Sequence, residues 1–133
     1  LYTAAWLPWL GNVTRWIEEE VRPASLVLRM SRNMQQEAVS QFQLNDGQML
    51  MGKPVHGPVV FKEHGVLFEA DVIRGQKTGF FLDQRENRQL IRSLARGRDV
   101  LNAFSFSGGF SMYALHGGAV SVTDMDISEH ALA

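Results

Sequence analysis

The 133 residues are 45% hydrophobic and 10% aromatic, and their thirteen basic and fourteen acidic side chains leave a net charge of −1. That balance suits a modest folded core and argues against disorder and against a uniformly basic nucleic-acid surface. The absence of cysteine excludes disulfides, thiolate zinc sites and a cysteine nucleophile within these residues.

No apolar run reaches the roughly 18 residues of a membrane span, and the N-terminal segment lacks the basic-then-apolar order of a secretory signal. The expected localisation is therefore cytoplasmic, with no membrane partner. His56, His64, His116 and His130 show no metal-ligand spacing, so no metal is expected. The chain begins at Leu1 without a methionine and stops at Ala133 just as a helix opens at Ser128, which reads as a piece of a longer protein.

In chain order, Trp6, Leu7, Leu10, Val13, Trp16, Ile17 and Val21 recur at helical spacing and predict an amphipathic helix with one buried stripe. Arg22-Pro23 ends it. Residues 25–30 have strand composition, residues 31–38 suit a loop or short helix, and residues 39–44 alternate apolar with polar in strand fashion. Asn45-Asp46-Gly47 signals a turn, and Gly52-Lys53-Pro54 with Gly57-Pro58 marks a surface loop. A hairpin follows: residues 59–62, a turn at Glu63-His64-Gly65, then residues 66–73, with Val66, Phe68, Ala70 and Val72 on one face and Glu69 and Asp71 on the other.

A domain boundary is expected near Arg74-Gly75. Beyond it the charge shifts: residues 74–98 hold seven basic residues against Asp83 and Glu86, a local +5 that leaves −6 to the remainder. On a helix over residues 85–95, Arg85, Arg88, Arg92 and Arg96 form one stripe and Leu90, Ile91 and Leu94 another. The arginine stripe suits either phosphate binding or simple solvation of the helix. Asp83, with Glu86 three residues on, has the spacing of a capping box.

Residues 99–128 read as strand, glycine turn, helix, strand and terminal acid. Residues 100–106 are an apolar run, Ser107-Gly108-Gly109 turns the chain, residues 110–116 are helical before Gly117-Gly118, and residues 120–125 lead to Asp126. Glycines at such a turn let backbone approach a ligand closely beside the free N–H groups of a new helix. Asp126 lies 18 residues beyond Gly108, near the spacing at which an acid accepts ribose hydroxyls. The turn lacks the third glycine of a dinucleotide fingerprint, and no Gly-Lys-Ser/Thr sequence is present, which favours an adenosine cofactor without phosphates, S-adenosylmethionine, over NAD or a nucleoside triphosphate. The plainer alternative is a tight turn, with Asp126 merely preceding a helix capped by Ser128.

GQKTGFFLDQRENR, over residues 75–88, followed by VLNAFSFSGGFSMYALHGGAVSVTDMDIS, over residues 100–128, strongly resembles the bacterial class I S-adenosylmethionine-dependent methyltransferases that act on C5 of a cytosine in 23S ribosomal RNA. The resemblance is dense from about Gly65 onward and less specific before it. It implies an α/β fold in which a small mixed α+β domain, residues 1–74, is the end of a central, RNA-substrate domain. Residues 75–133 then hold the first βαβ unit of a truncated Rossmann-like methyltransferase domain.

Carried onto this chain, the resemblance makes residues 102–109 the first methyltransferase motif, with Asn102, Phe104, Ser105, Gly108 and Gly109 lining the cofactor and Asp126 binding its ribose. Phe81, Asp83, Gln84 and Arg88 border the same pocket, Gln84 and Arg88 being the expected partners of polar cofactor groups. Ribosomal RNA is the implied partner. Methylation at C5 needs a cysteine thiolate that adds to C6, and this chain has none. That fits a catalytically incomplete piece of an enzyme, with no catalytic residue among these positions, but leaves open a guanine-directed relative or a non-catalytic binding module. A sheet stopped after two strands also exposes an edge, so self-association is expected.

Overall fold

The computed structural model of the chain describes residues 1–75 and 79–128. They divide into two compact units: Leu1–Val59 with Glu69–Gly79, and Val60–Phe68 with Phe80–Ala133. The boundary expected near Arg74-Gly75 falls inside the second piece of the first unit. Lys77 and Thr78, within the GQKTGFFLDQRENR motif, lie outside the described residues.

In the first unit, a 3-10 helix over Ala4–Trp9 leads into α1 (Leu10–Glu20). The expected buried tryptophan stripe does not form. Only Leu7 is buried, while Trp6, Trp9 and Trp16 are 52%, 60% and 60% exposed. The reason is geometric. Pro8 sits inside a 3-10 segment of three residues per turn, so positions that line up at 3.6 residues per turn do not stay on one face across residues 6–21.

Strand β1 (Ser25–Val27) pairs antiparallel with β2 (Met49–Gly52), with a register shift between Leu26 and Val27. β1 is shorter than expected, and β2 lies in a stretch that carried no strand signal. Between them the chain forms α2 (Arg32–Phe42), which replaces the strand expected over residues 39–44. Met34 and Ala38 are buried and Phe42 packs on the same core while Gln36 and Ser40 between them are exposed, a pattern that a helix gives and a strand, which would put all five on one face, does not. Gln43 then stops the helix in the left-handed conformation. Leu7, Leu28, Met30, Met34 and Ala38 form the core.

The first unit is closed by polar clamps. Arg29 donates through Nη1 to the Val72 carbonyl at 3.0 Å and through Nη2 to the Gly75 carbonyl at 2.8 Å, and its Nε meets Asp46 at 3.3 Å. Asp71 accepts the N–H groups of Ile73 at 3.0 Å and Arg74 at 2.7 Å. Those bonds turn the chain and end the preceding strand at Ala70, three residues earlier than expected. A Cβ on Gly75 or Gly79 would sit 2.3 or 2.7 Å from the Asp71 carbonyl oxygen, so close backbone packing accounts for both glycines.

The second unit takes its first piece from the hairpin β3 (Val59–Glu63) and β4 (Val66–Ala70), joined at His64-Gly65. Val66, Phe68 and Ala70 are buried as their alternation predicts, and Glu63 belongs to the strand rather than to the turn. A 3-10 turn over Leu82–Gln84 opens α3 (Arg85–Leu94). β5 (Asp99–Ala103), α4 (Gly109–His116) and β6 (Ser121–Met125) follow, β5 and β6 pairing parallel in register from Asp99↔Ser121 to Ala103↔Met125. α4 packs on α3 and on both strands, the βαβ arrangement expected for residues 99–128.

Two readings of α3 change. Gln84, not Asp83, is its N-cap, without a side-chain bond, because the 3-10 turn has already begun at Leu82. The arginine stripe is only in part a solvated face, at Arg85 and Arg96. Arg88 and Ala95 are buried and Ile91 and Arg92 half-buried, which puts the packed side of α3 through Arg88, while Leu90 and Leu94 are exposed. The core of this unit is aromatic: Phe80 lies 4.9 Å from both Phe61 and Phe68, and Tyr113 stacks on Phe68 at 6.2 Å.

Candidate functional site

The chain leaves β5 through a strained turn. Phe104 and Phe106 hold φ of 61° and 49°, conformations that cost L-residues roughly 1–2 kcal/mol each. Between them Ser105 is 4% exposed, its N–H donates to the Met125 carbonyl at 3.1 Å, and its Oγ has no hydrogen-bond partner. Gly108 follows at φ 69° as the N-cap of α4, with no side chain to receive that helix's first N–H groups. A Cβ there would meet only the Asp124 Oδ2, at 3.8 Å, so the turn is open on the side where glycine leaves room.

Asp126, at the end of β6, is aimed at this turn. Its Oδ2 accepts the Phe106 N–H at 2.8 Å and its Oδ1 accepts the Ser128 N–H at 2.9 Å. Those backbone hydrogen bonds, Ser128 first and then Phe106, hold its carboxyl below the usual aspartate range, so it is ionised at neutral pH. Each oxygen keeps a further lone pair for a hydroxyl donor. The carboxylate thus ties down the turn and still has capacity left, while the helix expected after Ser128 lies outside the described residues.

Beneath the turn lies a second acid that the sequence reading passed over. Asn102 and Asp124 are register partners on β5 and β6. The Asn102 Nδ2 donates to the Asp124 Oδ1 at 3.0 Å and to the Ser111 Oγ at 2.8 Å, and the Ser111 hydroxyl donates to the same Asp124 oxygen. Asn102 therefore braces both strands against the first turn of α4. Asp124 was legible in principle, because strand alternation places it on the same face as Asp126.

Of the residues expected along 81–88, Phe81 reaches the turn, its ring edge-on to Phe106 at 5.0 Å. Arg88 lies behind it, buried and engaged by Glu63 and by the Phe81 carbonyl. Asp83 and Gln84 bond to each other at 3.0 Å, and Gln84 also accepts from Asn87 at 2.8 Å. Ser105, Gly108, Gly109, Asp126 and Phe81 thus surround one turn, with Asn102 and Arg88 supporting it. The Phe104 ring is 83% exposed.

Glu63 and Tyr113 complete the support. The Tyr113 hydroxyl donates to the Glu63 Oε1 at 3.0 Å, across 50 residues of sequence. No local pattern announces that bond, although the inward alternation of Phe61 and Glu63 marks Glu63 as a buried acid in need of a partner.

An open glycine turn, a buried hydroxyl without a partner and an ionised acid at the next strand end suit a group bearing hydroxyls and an ammonium rather than a chain of phosphates. Among the described residues no three histidine or acidic side chains are grouped to hold a metal ion, and no helix is long and apolar enough to cross a membrane. In the first unit, a separate cavity of about 570 Å3 is lined by Tyr2, Arg29, Arg32, Gln35 and Arg74, among others. Its lining is mainly basic, with Asp46 among the arginines, and lacks the glycine-and-acid pair of the turn.

The parallel βαβ unit with its glycine turn defines a Rossmann-like cofactor-binding class. Residues 28–133 match the S-adenosylmethionine-dependent methyltransferase family, and the chain belongs to it. It is 54% identical over 132 residues to a ribosomal RNA large subunit methyltransferase of Deinococcus radiodurans, covering 99% of this chain and 32% of that protein. It is 48% identical over 83 residues to the ribosomal RNA large subunit methyltransferase I of Aeromonas salmonicida, covering 59% of this chain and 21% of that one. The chain therefore spans between a fifth and a third of the length of these relatives.

Among solved structures, a Streptococcus mutans protein described as a SAM-dependent methyltransferase superposes with a TM-score of 0.79 at 22% identity, over 97% of this chain and 32% of its own. Another, described as a methyltransferase and crystallised with SAH, gives a TM-score of 0.71 at 25% identity, over 90% of this chain and 28% of its own.

Proposed function

We propose that this chain carries the cofactor half-site of an S-adenosylmethionine-dependent methyltransferase acting on large-subunit ribosomal RNA, at C5 of a cytosine. The observation that carries the reading is the turn itself, with Gly108 open to a ligand and Asp126 ionised beside it, in a chain 54% identical to a ribosomal RNA large subunit methyltransferase. In this reading Ser105, Gly108 and Gly109 hold the cofactor along the turn, Asp126 accepts its ribose hydroxyls, and Phe81 walls one side. Asn102 and Arg88 act by holding that arrangement in place. The bound group would supply a methyl on a sulfonium, an electrophile whose transfer depends chiefly on alignment with the accepting base atom.

Residues 1–74 belong to the RNA-substrate side. Support comes from the basic cavity around Arg29, Arg32 and Arg74, of which Arg32 and Arg74 are exposed and suited to phosphate. An rRNA substrate places the activity in the cytoplasm. Cytosine C5 chemistry requires a thiolate from outside these 133 residues, which contain no cysteine.

The test is methyl transfer by the full-length gene product, with labelled S-adenosylmethionine and unmodified 23S rRNA, followed by nucleoside mass spectrometry. 5-Methylcytidine is the expected product. A methylated guanosine would overturn the cytosine assignment, and no transfer to rRNA would overturn the substrate.

A further inference from the structure

Both flanks of the glycine turn are held from one buried side chain. Arg88 is 2% exposed. Its Nε and Nη2 donate to the two oxygens of Glu63, each at 2.8 Å, and its Nη1 donates to the Phe81 carbonyl at 2.9 Å. Phe81 in turn packs on Phe106, whose N–H is the one Asp126 receives. On the opposite flank, the Arg88 Cδ lies 3.3 Å from where a Cβ of Gly109 would be, and its guanidinium covers the Phe80 ring at 4.4 Å. Glu63 is itself oriented by the Tyr113 hydroxyl, on the helix that Gly109 begins.

An ion pair this dry is a poor stabiliser, because its desolvation cost roughly cancels its attraction and apolar residues of similar volume do as well. What a bidentate guanidinium–carboxylate pair fixes is geometry, through two parallel bonds in one plane. That geometry is delivered to two places at once: the Phe81 carbonyl and the first residue of α4.

We infer that Arg88, oriented by Glu63 and Tyr113, is a positioning residue that sets the spacing between Phe81 and Gly109 and thereby the cofactor affinity of the turn. The inference rests on the cofactor reading above. A lysine in its place keeps the charge but cannot serve Glu63 and the carbonyl in the same plane. A methionine keeps most of the volume and removes every donor.

The experiment uses the full-length gene product with Arg88→Lys, Arg88→Met, Glu63→Gln and, as a core control in the same unit, Val66→Ala. Melting temperature is measured without ligand, and the Kd for S-adenosylhomocysteine is measured by calorimetry well below the lowest melting point. Arg88→Met is expected to raise Kd tenfold or more, and Arg88→Lys and Glu63→Gln severalfold, whereas Val66→Ala loses melting temperature with Kd within twofold. Should Arg88→Met not fold, Arg88→Lys and Glu63→Gln decide. Wild-type affinity in the Arg88 variants, or an equal loss in Val66→Ala, overturns the positioning role and leaves the cofactor reading intact. Failure of the wild type itself to bind overturns the cofactor reading, and the inference with it.

Discussion

Tyr113 has no exposed surface, and its hydroxyl donates to a carboxylate that is itself paired. Burial, then the hydrogen bond to Glu63 and the charge of Glu63, push its ionisation up from 10.0 to about 12. A raised folded-state value means that its contribution to stability is complete below pH 10 and is lost as the pH rises toward 12. The loss is on the order of 3 kcal/mol. With Tyr2 replaced by phenylalanine, Tyr113 is the single remaining tyrosine, and its absorbance change should centre near pH 12 in the folded chain; a midpoint near 10 would contradict the buried hydrogen bond.

Glu63 moves the other way. Burial raises its pKa, but the hydrogen bonds from Arg88 and Tyr113 and the Arg88 charge outweigh that and bring it below 4.5. Its contribution therefore persists above pH 4.5 and is lost as the pH falls through the lower folded-state value. None of this cluster was legible from sequence neighbours. Glu63 and Tyr113 meet across 50 residues, and the sequence placed Glu63 in the turn, whereas it ends β3 and faces inward.

At the scale of elements, legibility followed how local the signal was. The order of β5, the glycine turn, α4 and β6 was readable, because glycines punctuate the runs and the parallel pairing follows from the intervening helix, but the strand expected over residues 100–106 ends at Ala103, where Phe104 and Phe106 turn into the left-handed region. α2 was misread over residues 39–44, since period-two alternation also fits the spacing of four through Met34, Ala38 and Phe42, and only core packing, which leaves Gln36 and Ser40 between them exposed, decided for the helix. The tryptophans failed for a related reason, a helical period extended across a 3-10 segment.

Stability should separate the two cases. Met34→Ala is expected to cost roughly 2–4 kcal/mol through the cavity it leaves in the first unit's core. Trp16→Ala should cost less than about 1 kcal/mol. Urea unfolding of the two variants checks this, and the reverse order would place the N-terminal stripe in the core after all.

For the whole molecule, the two-stranded β5–β6 sheet has unequal faces. Asn102 and Asp124 meet Ser111 of α4 on one, while Leu101 and Met125 point the other way and are 64% and 53% exposed. Apolar side chains beside unpaired strand edges favour pairing with a second copy. The 133-residue chain is therefore expected to self-associate, with Leu101→Lys shifting it toward monomer in sedimentation velocity over a concentration series. A compact monomer at all concentrations for both proteins would contradict that expectation.

Cofactor binding belongs to the same scale, because Asp126, the strained turn and α4 meet only when β5 and β6 pair. Calorimetric titration of S-adenosylhomocysteine into this chain and into its Asp126→Asn variant tests it most directly. One-to-one binding that weakens at least about tenfold in the variant, roughly 1.4 kcal/mol, is the predicted result. Binding unaffected by the substitution, or no binding by the unaltered chain, would contradict the placement of the cofactor at the Gly108 turn.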